Sequence, residues 1–124
     1  TGAFLGVYSF EKCEDFIHDY LFPQENANRC DCRWLEVGND VKLRVDAVNK
    51  PFEASVHPYT IDALSVADHE CYLEREDYLT VNIDGGQHGV GGDVPAIATL
   101  KKQYKLPKMK NLELSCTLSF KNKA

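Results

Sequence analysis

Apolar and polar residues alternate along most of this chain. Val41, Leu43, Val45 and Ala47 are spaced by Lys42, Arg44 and Asp46, the period-2 pattern of a strand with one buried face. The run before it, residues 30–37, carries Trp34 and little polarity beyond Asp31, Arg33 and Glu36. Gly38-Asn39-Asp40 lies between the two runs and predicts a hairpin. After a turn at Asn49-Lys50-Pro51, Phe52, Ala54 and Val56 alternate with Glu53, Ser55 and His57. Leu79, Val81 and Ile83 alternate with Tyr78, Thr80 and Asn82. The cleanest pattern is the last, in which Leu112, Leu114, Cys116, Leu118 and Phe120 alternate with Glu113, Ser115, Thr117 and Ser119. Residues 3–9 predict a short strand or an extended lead-in, and residues 97–106 an extended segment. Residues 13–20 lack a clean period and read as loop or one helical turn, whereas 21–29 and 107–110 have turn chemistry.

The alternation breaks at Thr60-Ile61-Asp62-Ala63-Leu64, where Thr60 is placed to cap a helix and Asp62 suits its first turn. This helix is expected to end near Asp68. Several short strands, frequent turns and one short helix predict an all-β antiparallel β-sandwich, with residues 1–124 as one domain.

Composition narrows the function. A chain of 124 residues can bury a core without covalent staples. Its net charge of −5 argues against nucleic-acid binding, which calls for a basic stripe. No apolar run approaches the roughly 18 residues of a membrane-spanning helix, and no signal-peptide pattern is visible. The sequence opens at Thr1 without methionine, which reads as a fragment or a processed piece. The five cysteines, Cys13, Cys30, Cys32, Cys71 and Cys116, are odd in number and scattered. They form a poor disulfide framework and fit a reducing compartment, so a cytoplasmic location is expected, with the periplasm as alternative. Cys30-x-Cys32 lacks the second close pair that a structural zinc site needs, and buried thiols are the expectation.

Chemistry concentrates at residues 82–95, which hold Gly85, Gly86, Gly89, Gly91 and Gly92, five of the eight glycines. A hairpin turn needs only one or two residues of this kind. So many glycines around Gln87, His88 and Asp93 imply either a long shaped loop of functional use or a wide bulge and turn. The G-V-G-G-D string is no phosphate cradle, because no Lys-Ser/Thr follows it and Asp93-Val94-Pro95 opens no helix. There is no G-x-S-x-G elbow. His18, His57, His69 and His88 fall at no metal-ligand spacing, and only His88 is singled out by its position. Glycoside hydrolysis requires two carboxylates across a cleft, yet nothing in the spacing brings Glu25 and Asp93 together. Asp93 is expected to accept N–H bonds from its own loop.

Three ordered strings carry a resemblance. Tyr20-x-Phe22-Pro23-x-Glu25-Asn26-x-x-Arg29-Cys30 resembles the Y-x-x-P-x-E-N/H-G-x-R segment in the C-terminal domain of family-two β-galactosidases. His57-Pro58-Tyr59-Thr60-Ile61-Asp62-Ala63-Leu64, with His69-Glu70 after it, is similar to that domain's S-x-Y-x-x-x-x-L helix and trailing histidine. Tyr78-Leu79-Thr80-Val81-Asn82-Ile83-Asp84, followed by Gly89-Val90-Gly91-Gly92-Asp93, resembles the W/F-L-N-I/L-D…G-I/V-G-G-D string. Gly2-Ala3-x-Leu5-Gly6-x-Tyr8 fits the lead-in, so the resemblance covers nearly the whole chain.

The resemblance implies part of a galactose-mutarotase-like super-sandwich, the C-terminal domain of a retaining enzyme that hydrolyses terminal β-D-galactosides. It places the paired catalytic glutamates on a separate (β/α)₈ barrel and no catalytic residue in this chain. It implies no cofactor here, any magnesium or sodium belonging to the rest of the parent enzyme. The implied partners are the remaining domains or a large subunit, a galactoside substrate and, for the parent, further copies of itself. It makes Gln87, His88, Gly91, Gly92, Asp93 and Ala96 a substrate-rim loop. Family members continue D-S-W after G-I-G-G-D, and that sugar-facing tryptophan falls at Ala96, within Val94-Pro95-Ala96-Ile97 here. An aliphatic side chain offers no ring face to a sugar. Another domain's aromatic replaces it, or substrate preference differs from lactose, or the loop only packs. The competing readings are a free carbohydrate-binding sandwich using Gln87, His88 and Asp93, and a mutarotase-type enzyme with a histidine and a glutamate in acid–base roles.

Overall fold

The computed structural model describes residues 5–17, 27–87, 100–108 and 113–123. Its strands are β1 (Arg29–Cys32), β2 (Trp34–Gly38), β3 (Val41–Ala47), β4 (Phe52–His57), β5 (Thr80–Asp84) and β6 (Cys116–Asn122), with one helix, α1 (Ile61–Val66). They form two three-stranded sheets, ordered β1-β4-β5 and β2-β3-β6. The fold is thus all-β, an antiparallel sandwich with one short helix. The chain divides into two compact units, residues 1–28 with 55–82 and residues 29–54 with 83–124. Strand β4 passes from the second unit into the first after Ala54, and β5 returns after Asn82.

In the second unit, the β2–β3 hairpin forms where the sequence predicts it, with Leu35 opposite Val45 and Val37 opposite Leu43. Gly38 makes the turn possible. Its φ is +132°, and a Cβ there would lie 2.2 Å from the Val41 carbonyl oxygen. The run 30–37, read as one strand, is instead two strands in different sheets. Arg29 pairs with Ala54 and Cys32 with Phe52, so one extra residue is accommodated in β1. Asp31 takes it up at φ +54°, the left-handed geometry that Asp tolerates better than most residues. At Arg33 the chain changes sheets, its carbonyl accepting from the Ala47 N–H at 2.9 Å.

The core of this unit is Val45 of β3 against Phe52 and Ala54 of β4, flanked by Cys32, Leu35, Leu43, Ala47, Ile83 and Cys116. Burying a side chain such as Phe52 stabilises by about 1.5–3 kcal/mol. Coverage reaches Cys116 but not the rest of β6. Leu118 lies opposite Val45 and Phe120 opposite Leu43, on the same sheet face. Yet Val45 is 1% exposed, Leu118 61% and Phe120 76%. The alternation in the last strand is therefore real, but the buried face expected for it is open. The strand also starts at Cys116 rather than Leu112, and residues 113–115 are not in it.

In the first unit, the Thr60 hydroxyl oxygen accepts from the Ala63 N–H at 3.1 Å, the predicted cap, and α1 ends at Val66. Leu64 packs with Tyr59 and Ala67, and Ile17 and Leu73 close over them. Glu14, in a 3-10 turn at Cys13–Asp15, is ion-paired with Arg75. Of the two readings of residues 3–9, a short strand or an extended lead-in, the described residues 5–9 form no strand. One expectation needs correction. Lys102–Tyr104 of the second unit, expected to be extended, is a 3-10 turn. Strand β4 buries Ser55 and His57 along with Ala54 and Val56. A central strand can be covered on both faces, and alternation then marks polarity rather than exposure.

The other face of the β2-β3-β6 sheet is polar. Arg44 Nε and Nη2 donate to the two Asp46 carboxylate oxygens at 2.9 and 2.8 Å, and Nη1 donates to Glu36 Oε1 at 2.9 Å. Its guanidinium carbon lies 4.7 Å from the centre of the Trp34 ring, a cation–π arrangement. Lys121 Nζ is 3.4 Å from Glu36. The hydrogen bonds from Arg44, chiefly, hold both carboxyls below their ordinary range. A carboxyl whose pKa is lower folded than unfolded stabilises fully above its unfolded value and loses that contribution as pH falls through the folded one. Chain stability is therefore expected to drop as pH falls below about 5. Urea midpoints across pH 2–6 for the wild type and Arg44→Met check this. The variant's profile should be flatter, and two superimposable profiles would remove the network from the stability of the sheet.

Candidate functional site

The glycine-rich stretch springs from β5. Asn82 occupies a polar position in that strand, and its side-chain amide donates to Ser55 Oγ of β4 at 3.0 Å. Ser55 is nearly buried, and His57, two residues along and so on the same face, is 3% exposed. A buried hydroxyl left unpaired costs about 1–3 kcal/mol, which makes this bond a fixed point just before the loop. Beyond it, Ile83 packs into the second unit's core. At Gly85 a Cβ would lie 3.8 Å from Leu114 Cβ. At Gly86 it would lie 3.6 Å from Leu106 Cδ2, and φ there is +150°, so a side chain would meet backbone strain rather than lack of space. The start of the loop is thus fixed by packing and by glycine geometry.

Of the rim residues expected from the sequence, Gln87 follows directly and is half-buried. His88, Gly91, Gly92, Asp93 and Ala96 lie outside the described residues, as do His18 and Glu25. His57 proves to be a buried residue. His69 is a surface residue whose ring centre lies 5.9 Å from that of Tyr72. The Ser55–Asn82 link escaped the sequence reading. Its signal was an asparagine inside a strand, a residue type that strands disfavour without a partner.

The cysteines hold no metal-like constellation. All five are free, and among the described residues no three His, Cys, Asp or Glu side chains gather as a metal site. The expectation of buried thiols is corrected, since Cys30 and Cys71 are exposed and the others half-buried. The bulge at Asp31 separates the Cys30-x-Cys32 pair, sending Cys32 into the core and leaving Cys30 outside. Burial pushes the Cys13, Cys30 and Cys32 thiols up, and for Cys30 the carboxylates of Glu53 and Asp31 add to it. Thiols held in the protonated form are poor nucleophiles and poor ligands.

Asn82→Ala and Ser55→Ala, made singly and together, should show a coupling of about 0.5–1.5 kcal/mol in denaturant unfolding. Additive losses would mean that the bond contributes nothing to holding the base of the loop.

Comparison with known proteins shows which family this sequence is similar to. Residues 1–118 match the family model described as β-galactosidase small chain. The β-galactosidase BgaC of Bifidobacterium adolescentis is 35% identical over 94% of this chain and 11% of its own length. A β-galactosidase of Halalkalibacterium halodurans is 36% identical over 91% of the chain and 11% of its own. One from Kluyveromyces lactis is 33% identical over 82% and 10%. The chain therefore spans about a tenth of the length of the curated relatives it matches. With the match running from the lead-in to residue 118, within β6, the chain belongs to the β-galactosidase small-chain family.

Proposed function

We propose that this chain is a segment of a β-galactosidase that hydrolyses terminal β-D-galactosides, and that it frames the active site rather than carrying the reaction. The observation that supports this most is the family match over residues 1–118, together with relatives named β-galactosidase of which the matched segment is only about a tenth. The chemistry of the described carboxylates supports it too. A retaining glycosidase needs one carboxyl of raised pKa as acid and a second, about 5–5.5 Å away, as nucleophile. Glu36 and Asp46, the two described carboxylates brought together on one side chain, are instead held low by Arg44. They are structural anions. The acid and nucleophile then come from the rest of the parent polypeptide or its partner subunit, and any magnesium or sodium is bound there.

In this reading the loop after Gly86 forms part of the substrate rim through Gln87, His88, Gly91, Gly92, Asp93 and Ala96. The packing of Ile83 and the Ser55–Asn82 bond fix where it starts. With alanine at position 96, the loop contributes shape and polar contacts, and the aromatic wall for the sugar comes from elsewhere.

The experiment is hydrolysis of a nitrophenyl β-galactoside by the 124-residue chain and by the parent polypeptide carrying it. Turnover by the parent and none by the chain is expected. Robust hydrolysis by the purified chain would sink the proposal.

A further inference from the structure

Strand β5 is held on both of its faces just before the glycine-rich stretch. Period-2 spacing puts Val81 and Ile83 on one face and Thr80, Asn82 and Asp84 on the other. Ile83 joins the core of Val45, Phe52 and Ala54. On the opposite face the Asn82 amide donates to Ser55 Oγ at 3.0 Å, and Ser55 is 7% exposed. The two contacts restrain different things. Apolar packing has no direction. A slip of two residues, about 7 Å along the strand, would set Val81 where Ile83 lies and keep an apolar side chain in the core. The same slip would set Thr80 opposite Ser55, with a hydroxyl one bond shorter than the asparagine amide. The core contact therefore fixes which face of β5 is inward, and the hydrogen bond fixes the position along the strand. Only Ile83 and Asp84 separate Asn82 from Gly85, so that position is passed on to Gly85, Gly86 and Gln87.

We infer that Ser55 and Asn82 are positioning residues for galactoside binding, acting through the backbone at Gly85, Gly86 and Gln87. This rests on the proposed function, in which the loop after Gly86 is part of the substrate rim. Ser55 is nearly buried and spends its hydroxyl on Asn82, so its effect on substrate is indirect. Contacts made by a rim hold the substrate in its ground state and in the transition state alike. Misplacing them weakens binding and leaves the chemical step, carried by carboxylates outside this chain, nearly as fast. The signature of such a residue is a rise in KM without a matching fall in kcat.

Steady-state hydrolysis of a nitrophenyl β-galactoside by the complete polypeptide, wild type and substituted, tests this. Asn82→Ala and Ser55→Ala should each raise KM at least about 5-fold and keep kcat within about 2-fold. The double variant should be no worse than either single one, because both remove the same bond. Ser55→Thr keeps the hydroxyl and should hold KM within about 2-fold of the wild type. Arg44→Met, whose lost contacts are to Trp34, Glu36 and Asp46, should leave KM unchanged. If Asn82→Ala does not fold, Asn82→Thr takes its place, since strands favour threonine and its side chain is shorter. Unchanged KM in the alanine variants would overturn the inference. So would an equal rise in Arg44→Met, because general loosening would then be the cause. Both of those outcomes come with an active wild type and leave the functional reading standing. A wild type that does not hydrolyse the galactoside overturns the functional reading, and the positioning role with it.

Discussion

The second unit depends on one contact between sheets, the packing of Phe52 and Ala54 of β4 against Val45 of β3. These are among the least exposed side chains described. Each strand of that unit has its place relative to this contact. The bulge at Asp31 lets β1 keep pairing with β4 while Cys32 reaches the core. The change of sheet at Arg33 puts Leu35 on β3's apolar side, and Ile83 brings the end of β5 in beside them. Moving any of these by one residue would exchange core and solvent faces.

This placement also accounts for the division of labour. Core packing at Ile83 and the Ser55–Asn82 bond hold the last residues of β5, so the glycine-rich stretch leaves from a fixed base. The charged groups on the opposite sheet face neutralise one another around Arg44 and are spent on structure. In the proposed function such a chain supplies framework and a loop origin, while the reacting carboxylates come from the rest of the enzyme.

Much of this was legible in the alternation and the turns. Gly38-Asn39-Asp40 between two strand patterns gave the hairpin, and Thr60 gave the cap of α1, because both depend on local backbone chemistry. What could not be read was coverage. Period-2 spacing tells which residues share a face, not whether another layer lies over it. Ser55 and His57 look as polar as any surface pair yet are buried, and Leu118 and Phe120 look like core yet are open. The split of residues 30–37 between two sheets falls at Arg33, after a bulge with a left-handed Asp31, and no periodicity reveals either. At the candidate site, the strand feeding the loop and its glycines were legible, whereas the Ser55–Asn82 bond joins residues 27 positions apart and needed the pairing of β4 with β5 to appear.

The claim that the core closes over β3 and leaves out Leu118 and Phe120 of β6 is tested most directly by comparing two phenylalanines. Phe52→Ala and Phe120→Ala in the 124-residue chain differ only in which side of that limit they fall. Urea unfolding should show a loss of about 3–5 kcal/mol, or outright unfolding, for Phe52→Ala. Phe120→Ala should lose no more than about 0.5 kcal/mol. Equal losses at the two positions would contradict the account, because Phe120 would then be as much a part of the core as Phe52.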